Sequence, residues 1–200
     1  AEASAPAMDS VLAEVLQRQI GTVVDGLLRR EDVAANARRD WIASFATPSG
    51  KTEVRTGDEL HLTVRIAEKA PQHVWLCVFN VGPTGNLTLL YPNGYDDNQP
   101  LGPGDVRNIG FHPSGVRLPL LPPAGEESMV ASALEWNPFG RVNFRALHGT
   151  DHVFLKATVP GRDAQQAQQA MMRSRDVGVE RRRSRPGEGW DRAVLKITHG

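Results

Sequence analysis

The chain has 200 residues, 40% of them hydrophobic and 23% charged, and its 23 basic and 23 acidic side chains cancel to a formal net charge of +0. That length suffices for one domain with a substantial core, and the charge balance lacks the basic excess of a dedicated nucleic-acid binder. No run of 18 apolar residues occurs, so no membrane-spanning helix is predicted, and a single cysteine, Cys77, excludes an internal disulfide framework.

The first residues, AEASAPAM, are small and lack an initiator Met. They read either as a mature end left by signal-peptide removal or as a piece cut from a longer chain. From Asp9 the pattern is helical. Val11, Leu12, Val15, Leu16, Ile20, Val23, Val24, Leu27 and Leu28 recur at spacings of three and four, with Asp9 or Ser10 as N-cap. A second helical piece is expected from Glu31 to Phe45, with Trp41, Ile42 and Phe45 on one side. The turn TPSGK, residues 47–51, ends it.

The period then changes to two. In ELHLTVRIA, Leu60, Leu62, Val64 and Ile66 face one way and His61, Thr63 and Arg65 the other, as in a half-buried strand. HVWLCVFNV is apolar on both faces and predicts a central strand. GPTG at 82–85 and then NLTLLY complete a hairpin. VRNIGF is a further strand, and VRLPLL is demoted to an edge strand or an irregular segment by Pro119. A strand opened by Gly125 is expected over 127–133, with a helical start as the alternative, and another strand in HVFLKATV. GRDAQQAQQAMMRSR predicts a later helix. The closing WDRAVLKITH sets Ala193, Leu195 and Ile197 against Val194, Lys196 and Thr198, again a strand. With 19 Gly and 14 Pro marking many turns, the sum is a mainly β fold. The architecture expected is an antiparallel β-sandwich, Ig-like in general architecture, with an N-terminal helical segment and one later helix. The division drawn is a tail and helical segment at 1–46 and a β-rich domain at 47–200.

The chemistry-bearing residues assemble no recognisable site. Asp96, Asp97 and Asn98 offer hard oxygens but lack the alternating spacing of a calcium loop, and Asx turns account for them. His148 and His152 have the spacing of a helical zinc pair, but Gly149 and Asp151 between them indicate a turn. His73 shares a strand face with Cys77, but at roughly 13 Å it is too far to activate the thiol. Glu126 and Glu127 are adjacent and point to opposite faces. Arg181, Arg182, Arg183 and Arg185 form a basic run that reads as a solvated loop. Phosphate-binding and serine-nucleophile motifs are lacking. The sequence therefore predicts no catalytic residue, no metal and no cofactor.

The order of the remaining features resembles a bacterial family known as domain of unknown function 4384. The residues carrying the resemblance are Gly57 and Asp58 before the first alternating strand, Trp75 in the next, and Gly85 in its turn. They continue with Leu90, Tyr91, Pro92 and Asn93, then Asn98, Leu101 and Gly104, and finally Pro123, Gly125 and Glu126. Together they span about residues 52–135, with the closing strand as an addition. The resemblance implies a β-rich accessory domain of exported or envelope proteins, with no established catalytic residues. It also occurs beside caspase-like peptidase or kinase modules. On that basis the expected function is a non-catalytic binding or assembly domain acting through protein–protein contacts, periplasmic or envelope-associated, with a cytoplasmic location as the other possibility. A regulatory accessory domain and a hydrolase with an unrecognised site are the alternatives. The apolar stripe of the N-terminal helix is the expected route to a partner or to self-association.

Overall fold

Period-two alternation buries one face of a strand, and a strand apolar on both faces needs a cover on each. The computed structural model meets both demands with three layers. It describes residues 8–33, 39–55, 58–82, 87–93, 98–110, 118–119, 124–140, 142–147, 155–157, 166, 169 and 189–200. Helix α1 (Met8–Val33) is followed by strands β1 (Ile42–Ala46), β2 (Glu53–Val54), β3 (Glu59–Leu60), β4 (Leu62–Ile66) and β5 (Trp75–Val81). Then come β6 (Leu87–Tyr91), β7 (Val106–Ile109), β8 (Leu118–Pro119), β9 (Gly125–Leu134), β10 (Leu155–Ala157) and β11 (Trp190–His199), with a 3₁₀ turn at Phe144–Leu147.

The main sheet runs β10-β6-β5-β9-β11-β2, and a second sheet runs β1-β4-β7; β3 and β8 form a separate pair. Every pairing is antiparallel except that of β11 with β2, which is parallel. The sandwich interior lies between the sheets. Leu76 and Val78 of β5 and Met129, Ala131 and Ala133 of β9 meet Leu62, Val64 and Ile66 of β4 and Ile109 of β7 there. The opposite face of the main sheet, with Cys77, Phe79, Val81, Leu87, Leu89, Val130 and Leu134, is covered by Ala13, Leu16, Ile20, Val24 and Leu27 of α1. The mainly β sandwich with an N-terminal helix is thus present. The strand in HVWLCVFNV is central because β6 and β9 flank it and each of its faces has its own core.

One expectation changes. The second helical piece at Glu31–Phe45 is instead a strand from Ile42: β1 pairs with β4, setting Phe45 against Val64 and Ala46 against Thr63. A spacing compatible with a helix lost to tertiary pairing with an unfilled sheet edge, as weak propensities do. Residues 42–46 are thereby part of the sandwich. The helix stripe packs its central residues on the chain's own sheet, and Val11 and Val15 are left 42% and 46% exposed. The later helix expected in 161–175 lies outside the described residues apart from Gln166 and Gln169, which are helical. No helix among the described residues is long and apolar enough to cross a membrane.

Cys77 is fully buried and faces α1, while His73 is exposed. A thiol reagent is therefore expected to label native protein slowly and urea-unfolded protein rapidly. Equal rates in the two states would show that the helix does not cover this face.

Candidate functional site

The sequence motif residues have structural positions. Tyr91 is buried and its hydroxyl accepts a long hydrogen bond from Arg107 Nε (3.4 Å). It precedes buried Pro92 through a cis peptide, and Asn93 Nδ2 donates to Leu90 O (2.8 Å). Asn98 Nδ2 donates to Asn137 Oδ1 (3.1 Å), whose own Nδ2 donates to Gly140 O. Farther on, Leu101 exchanges both backbone hydrogen bonds with Val74 at the entrance to β5. Asp105 Oδ2 accepts from Gly102 N, and Gly104 N donates to Ile66 O at the end of β4. Gly104 has φ +76, a backbone conformation that favours glycine. The described ends of the Pro- and Gly-rich stretch between β6 and β7 are therefore a staple between β4 and β5. Asp96 and Asp97 lie outside the described residues, as do Gly57, His148, His152 and Arg181, Arg182, Arg183 and Arg185.

Gly125 opens β9. Beyond it Glu126 is exposed, with Oε1 3.5 Å from Lys196 Nζ, and Glu127 is buried and accepts from Asn80 Nδ2 (2.8 Å). The adjacent glutamates therefore face opposite ways and serve separate partners. Among the described residues no three of His, Cys, Asp and Glu come together to hold a metal.

Sequence reading missed two arrangements. One is a buried carboxylate. Asp191 Oδ2 accepts from Trp41 N (3.0 Å) and Ile42 N (2.9 Å), and Asp191 Oδ1 accepts from Arg192 N (2.8 Å). It clasps the entry to β1 onto β11. Its signal was available: Asp191 has the parity of Ala193, Leu195 and Ile197, so an acid stands on the inward face.

The other arrangement is an open cleft of about 640 Å³ where the main sheet ends. The turn at 47–51, strand β2 and the approach to β3 line it, with Lys51, Arg55, Asp58, Glu59 and His61 around it. The turn is braced internally: Thr47 Oγ1 donates to Lys51 O (2.8 Å) and Lys51 N to Ser49 Oγ (3.3 Å). On the far side Asp58 Oδ2 accepts from Arg55 N (3.0 Å), and Asp58 N donates to Arg55 O (3.0 Å). Glu59 Oε2 lies 3.6 Å from His61 Nε2. The acids of the far side thus have partners within the fold. Lys51 and Arg55 side chains are exposed, and neither forms an ion pair among the described residues. Lys51, Glu53 and Arg55 are spaced by two, which signals a shared strand face. The concavity itself depends on three segments converging.

Residues 53–135 match the model of a family described as Domain of unknown function (DUF4384). No curated protein and no solved structure matches the chain.

Proposed function

With residues 53–135 a domain of this family, we propose that the chain is a non-catalytic binding and assembly domain of a bacterial exported or envelope-associated protein, acting through protein–protein contacts. The observation supporting this is the form of its cleft. It is open, polar-rimmed and set at the free edge of a six-stranded sheet, whereas small-substrate sites are enclosed and mostly apolar. A hydrolase reading would need a nucleophile beside a base. The closest approach to a dyad among the described residues of the cleft is the pair of exposed Glu59 and half-buried His61, and the cysteine is buried elsewhere. The helix stripe is the weaker contact surface, because its central side chains already pack on the sheet. A regulatory accessory role beside a peptidase or kinase would use the same kind of contact.

A photo-crosslinking residue at Ser49, on the exposed cleft rim, tests this in the native host, with Thr22 on the exposed side of α1 as control. Discrete protein adducts are expected from position 49 and not from position 22. Adducts equal at both positions, or hydrolysis of model ester or peptide substrates abolished by His61→Ala, would overturn the proposal.

A further inference from the structure

We propose that the cleft takes an extended peptide segment carrying two acidic side chains four residues apart on either side of a basic one. This rests on the binding-domain reading above and specifies its partner. Three observations carry it: the free backbone edge, the charge pattern along it and the way the neighbouring backbone is closed.

In a parallel ladder, alternate residues direct their N–H and C=O to opposite sides of the strand. Thr198 N donates to Thr52 O (2.8 Å) and Gly200 N to Val54 O (3.3 Å), so Thr52 and Val54 face β11. The N–H and C=O of Glu53 therefore point away from the sheet, at the edge that lines the cleft. On either side the backbone is closed by its own turns. Lys51 is held by Thr47 and Ser49, and Arg55 by Asp58. Among the described residues, one residue's donor and acceptor are left without a partner. Such an edge grips one residue of an incoming strand without templating a long sheet, which guards against edge-to-edge aggregation.

Strand β2 is only Glu53–Val54, and carrying its alternation one step to either side puts the flanking Lys51 and Arg55 on the face of Glu53, in the order positive, negative, positive. Opposite charges directly across a strand pair attract and like charges repel. A segment with the order negative, positive, negative therefore matches this edge at all three positions, and its two acids meet cations that have no ion pair among the described residues. A second copy of β2 is a poorer match. Antiparallel pairing centred on Glu53 would set Glu53 against Glu53 and Lys51 against Arg55.

The test uses the full chain and a fluorescent seven-residue peptide of valines alternating with glutamate, lysine and glutamate, followed by fluorescence anisotropy. The double substitution Lys51→Glu with Arg55→Glu is confined to exposed side chains, so folding is expected to persist. It should weaken binding about tenfold or more, since each reversed pair changes from attraction to repulsion. The same variant should gain affinity for the charge-reversed peptide, lysine, glutamate, lysine. N-methylation of the central peptide residue, which blocks its backbone donor, should weaken binding to the unaltered protein. Absence of binding at millimolar peptide, or equal binding by protein and double variant, would overturn the proposal. So would a dimer in sedimentation that the double variant dissolves, because it would assign the edge to a second copy. In each of these cases adducts specific to position 49 would leave the binding-domain reading standing, so the two failures are distinguishable.

Discussion

Deletion of residues 1–33 is expected to leave a chain with no cooperative unfolding transition. Leu16, Ile20, Val24 and Leu27 of α1 are each at most 5% exposed against the main sheet. At about 1.5–3 kcal/mol per buried aliphatic side chain they contribute roughly 6–12 kcal/mol. A whole domain is stable by only about 5–15 kcal/mol. The deletion also uncovers Phe79, Val81, Leu87, Leu89 and Val130 as one contiguous apolar face, a surface that promotes aggregation. Urea titration followed by near-ultraviolet circular dichroism checks this. A truncated chain that keeps a sharp transition near the full-length midpoint would show that the sandwich stands without its helix. The alternative expectation, that the helix is an appendage for partners, depends on that result, because a helix essential to the core presents only its outer side to others.

Replacing Asp191 with Ala should lower stability by roughly 3–5 kcal/mol, since hydrogen bonds to charged groups and stranded buried donors each count for about 1–3 kcal/mol. The Trp41 amide is buried and the Ile42 amide half-buried, and both donate to Asp191 Oδ2. Asp191→Asn retains one acceptor oxygen and should cost less, about 1–2 kcal/mol. The measurement has two parts, the urea midpoint and amide exchange at Trp41 and Ile42. Faster exchange confined to the start of β1, together with the larger loss in the Ala variant, is the expected result. A loss under about 1 kcal/mol in Asp191→Ala would mean that water replaces the carboxylate and that the clasp contributes little. Neighbouring Gly189 allows the close approach this clasp needs, because a Cβ there would collide with the Trp41 ring.

Much of this fold is written locally. Leu60, Leu62, Val64 and Ile66 alternate with polar residues, and all four are buried in the sandwich. Val78 and Phe79 are apolar neighbours on opposite strand faces, and each found its own core, one between the sheets and one beneath the helix. The closing strand likewise buries Ile197 and exposes Val194 and Lys196, as its parity required. These are properties of period and composition, which a few consecutive residues suffice to express. The segment at Trp41, Ile42 and Phe45 is different. Its spacing suits a helix, and only the vacant edge of β4 and the carboxylate of Asp191, 150 residues from Trp41 in sequence, made it a strand. The cleft is the extreme case. Its charges are visible as Lys51, Glu53 and Arg55, but its concavity and its open backbone exist only because β2 adds in parallel to β11. Hydrophobic period is a short-range signal and set the strands; the choice of neighbour for each strand edge is a long-range competition among backbone donors and acceptors, and tertiary structure alone decided it.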